Sequence, residues 1–81
     1  MIFLIEYDRD EGRIVSMQTF SNSDRGIAED SRLNLELNLH RQGIDHEVVL
    51  LEAPTEEALR RTHRRYFEDL QELSRFILVD R

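Results

Sequence analysis

Arg32-Leu33-Asn34-Leu35-Glu36-Leu37-Asn38-Leu39-His40-Arg41-Gln42-Gly43-Ile44 is the stretch on which the fold turns. Its four leucines alternate strictly with polar residues, which is the pattern of a half-buried strand. The residue types point the other way. Leu, Glu and Arg favour helix, and β-branched residues are missing from the alternating part. The end signals agree with a helix. A Ser21-Asn22-Ser23-Asp24 cluster stands upstream, where Ser21 or Ser23 can cap and Asp24 suits the first turn. Downstream, a left-handed Gly43 would let Ile44 pack back on Leu39, the spacing of a Schellman motif. The segment is therefore read as helix. At about 100° per residue its apolar side chains split into two stripes, Ala28-Leu35-Leu39 and Leu33-Leu37, on nearly opposite faces. One stripe can meet a sheet, and the other needs a second partner.

Upstream of this helix lies a β-hairpin. Ile2 to Tyr7 is apolar on both faces at Ile2, Phe3, Leu4 and Ile5, which suits a central strand covered on each side. Asp8 to Gly12 forms the turn, with Gly12 free to take positive φ. Arg13 to Phe20 follows as a more exposed strand, with Val15 and Met17 expected on one face and Ser16 and Gln18 on the other. Downstream, Val48-Val49-Leu50-Leu51 marks a buried strand over 46–53. Pro54 ends it, Thr55 caps a second helix, and Glu56 and Glu57 sit at the positive end of its dipole. That helix carries one apolar stripe: Leu59, Thr62 or His63, Tyr66, Leu70 and Leu73. Phe76-Ile77-Leu78-Val79 continues it or forms a short last strand; both remain open.

The order is ββαβα, with that final strand as an option. It predicts a single α+β domain over 1–81: a two-layer sandwich with the helices on one face of a mostly antiparallel sheet. The segment joining the second and third strands is expected as a crossover between parallel strands. Because the first and third strands are apolar throughout, the other sheet face also needs cover, a second pointer to dimerisation.

Composition narrows the function classes. The chain has 81 residues, no Cys and no Trp, and all 11 basic residues are Arg. A disulfide framework, a thiolate metal site and a cysteine nucleophile are excluded. The apolar run at the N-terminus is too short for a signal peptide, and no run approaches the length of a membrane span, so a cytoplasmic location is expected. Net charge is −6, which disfavours non-specific binding to nucleic acid or anionic membrane. The charge is uneven: residues 1–58 hold 5 basic and 13 acidic groups (net −8), and residues 59–81 hold 6 and 4 (net +2). A single core of this size supplies little surplus stability, so oligomerisation is the expected supplement.

Four stretches carry residue types that chemistry could use. Arg60-Arg61-Thr62-His63-Arg64-Arg65-Tyr66 could grip phosphate, yet each Arg has an acidic residue four positions away: Glu56, Glu57, Glu68 and Asp69. A solvated, salt-bridged helix face is preferred over a nucleic-acid patch. His63 within the apolar stripe could serve as a general base or pH switch, although no Ser or Asp partner at relay spacing is visible. His40 and His46, with Asp45 and Glu47, flank the Gly43 turn but match no common metal-ligand spacing. Asp8, Asp10 and Glu11 lack the ligand count of a calcium loop. No phosphate loop or nucleophile elbow occurs, and no metal or cofactor is implied.

Val49-Leu50-Leu51-Glu52-Ala53-Pro54-Thr55-Glu56-Glu57-Ala58-Leu59 resembles the strand-to-helix step of dimeric ferredoxin-like α+β proteins. The hairpin-first order departs from the βαββαβ pattern of that fold, and no functional residue is carried over. The leading expectation is a homodimeric interaction module using Leu33 and Leu37 at its interface. The alternatives are an anionic ligand or substrate held by His63, Tyr66, Arg60 and Arg64, and nucleic-acid binding through the Arg60–Arg65 face.

Overall fold

A computed structural model describes residues 1–67. The elements are β1 (Ile2–Asp8), β2 (Arg13–Phe20), a 3-10 turn at Asn22–Asp24, α1 (Arg25–Gln42), β3 (Glu47–Glu52), α2 (Glu56–Thr62) and a second 3-10 turn at Arg64–Tyr66. This is an α+β fold in the ββαβα order. The reading of 70–81, including Leu70, Leu73 and the alternative strand over 76–79, lies outside the described residues.

The sheet runs β2-β1-β3 with both pairings antiparallel. The continuous apolar run of β1 thus occupies the centre, where both pleat faces can be buried. Ile2, Phe3, Leu4 and Ile5 are all buried. Since β2 and β3 both oppose β1, they run parallel to each other, with α1 as the crossover between them.

Local signals close the elements. Gly12 takes φ 67°, and its amide donates to the Asp8 carbonyl at 2.7 Å. The Asp8 side chain accepts from the amides of Asp10 and Glu11, an Asx turn that gives this acid a structural role. Gly43 takes φ 69°; its amide donates to the His40 carbonyl at 3.1 Å and that of Ile44 to the Leu39 carbonyl at 2.9 Å. That pair of bonds is the Schellman closure expected from sequence. Thr55 caps α2 by accepting from the Ala58 amide at 3.1 Å. At the other end of α1 the expectation fails: neither Ser21 nor Asp24 makes a side-chain cap bond. Ser21 Oγ is spent on Ser23 Oγ and Asp24 Oδ2 instead.

The hairpin holds a bulge. Glu6 pairs with Ser16 and Tyr7 with Ile14, so Val15 is skipped. The extra residue breaks the period of two. Val15 and Met17 consequently do not share a face: Met17 and Ile14 pack on the core, while Val15 is exposed.

Alternation along β1 sorts the packing. Phe3, Ile5 and Tyr7 share one face with Val49 and Leu51 of β3, and Leu59 and Tyr66 close over them. Ile2, Leu4 and Glu6 point to the opposite face. There α1 contacts β1 and β3, its Arg25 pairs with Glu52, and Ala28 and Leu39 are buried. The two helices therefore cover opposite faces of the sheet rather than one, and the expectation of a shared face is corrected. The physical reason is the apolar character of β1 on both sides: each face buries its own side chains, at about 1.5–3 kcal/mol per large residue. Within the described residues, each face of the central strand is therefore covered by a helix of the same chain.

The second helix is shorter than its stripe suggests. It ends at Thr62; His63 adopts φ −125°, ψ 54° and the chain tightens into the 3-10 turn. Thr62 Oγ1 folds back on the Ala58 and Leu59 carbonyls. Tyr66 consequently reaches the core from the turn rather than from a continuous helix face.

Candidate functional site

Two polar clusters gather at the hairpin-turn end of the sheet, one on each face. They meet at His46 and Glu47, consecutive residues at the start of β3.

On the α1 side, Glu6 is a buried acid in the middle of the sheet. His46 Nδ1 donates to Glu6 Oε2 at 2.6 Å, and His46 Nε2 lies 3.5 Å from Asp8 Oδ2. Ser16 Oγ approaches Glu6 Oε1 at 3.5 Å. The Glu6 hydrogen bond, aided by the negative charges of Asp8 and Asp45, raises the His46 pKa above 6.5 against the opposing effect of burial. A Ser–His–acid relay needs one imidazole nitrogen facing the nucleophile. Here both nitrogens face carboxylates and Ser16 addresses the acid, so the trio stores a charge pair rather than activating a hydroxyl.

On the other side, Glu47 accepts from the Tyr66 hydroxyl, from Arg65 Nη2 at 3.0 Å and from Arg9 Nε at 3.2 Å. The Tyr66 bond and the two guanidinium groups lower the Glu47 pKa. Burial and that same carboxylate raise the Tyr66 pKa. Tyr7 meets Tyr66 edge to face with ring centroids 5.1 Å apart, and the Arg65 guanidinium lies over the Tyr66 ring. A cleft of about 300 Å³, lined in part by Arg9, Glu36, Leu39, His40, His46 and Glu47, opens between α1 and β3 at this end.

The residues singled out from sequence are engaged by different partners. Tyr66 turns inward, its hydroxyl engaged by Glu47 and Arg65. His63 bonds its neighbour Thr62 through Nδ1 at 2.9 Å. Arg60 pairs with Glu56 as the spacing predicts and stacks on Phe67. Arg64 has partners of its own. Arg65 reaches across to Glu47. The proposed partners Glu68 and Asp69 lie outside the described residues. Two arginines of the run are thus held by acids, Arg60 by Glu56 and Arg65 by Glu47. The sequence places His46 only beside the Gly43 turn, and the pairing of β3 with β1 brings it to Glu6. Among the described residues, no group of three or more His, Asp or Glu is placed to hold a metal. No helix among them is long and apolar enough to cross a membrane.

The remaining feature is the outer face of α1. Ala28 and Leu39 are buried and Leu35 half-buried, as the first stripe requires. Leu33 is 53% exposed and Leu37 44%; Ile27, elsewhere on the same helix, is 58% exposed. An apolar stripe on the solvent side of a helix is an arrangement that a packed core does not explain. Searches against protein-family models, curated proteins and solved structures find no match to the chain.

Proposed function

We propose that this protein is a small interaction module of the cytoplasm that works by pairing with a second copy of itself through the outer face of α1. The exposure of Leu33 and Leu37, one turn apart on a helix already packed by its opposite stripe, carries this reading. Isolated exposed hydrophobic residues are ordinary on a soluble protein. Here Ile27, Leu33 and Leu37 lie on one helix, and Leu33 and Leu37 form the second of its two stripes. The acidic net charge opposes aggregation without preventing a directed contact. Because the sheet is covered within the chain, the contact area rests on α1 alone. Such a small interface corresponds to micromolar rather than nanomolar affinity.

Sedimentation equilibrium from about 1 μM to 1 mM tests the proposal. The expected result is a monomer–dimer equilibrium within that range. Leu37→Glu should remove it while leaving the circular dichroism spectrum and melting temperature nearly unchanged, because the side chain is already half exposed. A wild-type chain that stays monomeric throughout would overturn the reading.

A further inference from the structure

The charges that flank the Leu33–Leu37 stripe are arranged in a way that selects the geometry of its partner. Around the helix, Asp30 and Arg41 lie on one side of the stripe, and Glu29 and His40 lie on the other, following from about 3.6 residues per turn. The acids therefore sit one turn before Leu33 and the bases one turn after Leu37. All four residues are exposed, and Glu29, Asp30 and Arg41 make no ion pair within the described residues, although Arg32 and Glu36 on the same helix do.

The geometry points to an antiparallel pairing of α1 with α1 of a second copy, centred between Leu33 and Leu37; this rests on the self-association proposed above. A two-fold axis there sets Leu33 against the partner's Leu37 and Leu37 against the partner's Leu33. The same axis keeps each flank facing its own equivalent. Asp30 then meets the partner's Arg41, and Glu29 meets the partner's His40, each contact occurring twice. A parallel pairing would instead put Asp30 against the partner's Glu29 and Arg41 against the partner's His40, acid against acid and base against base, so the charges favour one orientation and oppose the other. Since α1 forms the outer layer over the Ile2–Leu4–Glu6 face, the sheet does not stand between the two helices.

Directed cross-linking reads the orientation, because the natural chain has no thiol of its own. Asp30→Cys and Arg41→Cys are made separately and oxidised mildly, alone and as an equimolar mixture. In the antiparallel pairing each variant places its own two thiols at least about 15 Å apart along the helix, beyond the roughly 7 Å between Cα atoms that a disulfide tolerates. The expected result is covalent dimer from the mixture only. Efficient cross-linking of Asp30→Cys with itself would overturn the antiparallel arrangement in favour of a parallel one.

Charge reversal gives an independent reading. Asp30→Arg and Arg41→Asp should each weaken dimerisation about tenfold, since two symmetry-related pairs are lost, and the double variant should recover it. A wild-type dimer whose affinity ignores all three variants would overturn this pairing while leaving self-association standing. A wild-type monomer would remove both.

Discussion

His46 Nδ1 lies 2.6 Å from Glu6 Oε2, joining residues 40 apart in sequence across β3 and the central strand. The contact supplies a largely buried carboxylate with a proton donor. Its pH dependence follows from the direction of the His46 shift. The folded state holds the His46 proton more tightly than the unfolded chain does, so the stabilisation is complete below about pH 6.5, the unfolded value. It declines as pH rises through the higher folded value. Urea melts from pH 5 to 9 should show this alkaline loss. His46→Gln, which keeps a donor but no titrating proton, should flatten it.

Glu47 behaves with the opposite sign. Its folded pKa lies below the ordinary 4.5, so the contribution is present above that value and is lost as pH falls through the lower folded value. In acid titrations followed by circular dichroism, Glu47→Gln should be less stable than wild type at neutral pH and less sensitive to pH on the acid side.

The raised pKa of Tyr66 is directly visible in the ultraviolet. The chain contains two tyrosines. Absorbance titration at alkaline pH should show a tyrosinate transition later than the usual one, and Tyr66→Phe should delete it. The same substitution should cost about 1–2 kcal/mol in denaturant melts, because a hydrogen bond to a charged acceptor is lost.

Leu59 is fully buried beneath Phe3, Ile5 and Tyr7 and is the main anchor of the short helix α2. Leu59→Ala should cost about 2–5 kcal/mol, comparable with the roughly 3–5 kcal/mol that a single core of this size supplies. Loss of a cooperative thermal transition at 37 °C is the expected outcome, with proton NMR dispersion as the check.

Two glycines of α1 should respond in opposite directions. A Cβ at either Gly26 or Gly43 would meet no atom within 4 Å. Gly43 has φ 69°, so Gly43→Ala should destabilise by about 1 kcal/mol through backbone strain alone. Gly26 has helical geometry, so Gly26→Ala should stabilise by about 0.5–1 kcal/mol. Thermal melts of the two variants should move apart.

Local chemistry was legible wherever a residue acts on its own neighbours. Gly12 and Gly43 mark the turn and the helix end because positive φ is a property of the residue itself. Thr55 was recognisable as a cap, since its bond reaches only to Ala58. The unbroken run of Ile2 to Ile5 correctly placed β1 at the sheet centre. Hydrophobic spacing alone also separated the buried Ala28-Leu39 side of α1 from exposed Leu33 and Leu37.

Long-range relationships were not legible. The bulge that turns Val15 outward depends on the pairing of Glu6 and Tyr7 with β2, and no residue in the strand announces it. The chain leaves helical geometry at His63, and Arg65 reaches back to Glu47, 18 residues upstream. Glu6 and His46 looked like an ordinary strand acid and an ordinary turn histidine until the β1–β3 register set them together. The sequence by itself determined which segments form strands and helices, that Gly43 ends α1 and Pro54 follows β3, and that β1 is apolar on both faces. Only the tertiary structure decided which helix covers which sheet face and which charges meet. Those outcomes depend on strand register and on burial from both sides, and neither is a property of any local window of the chain.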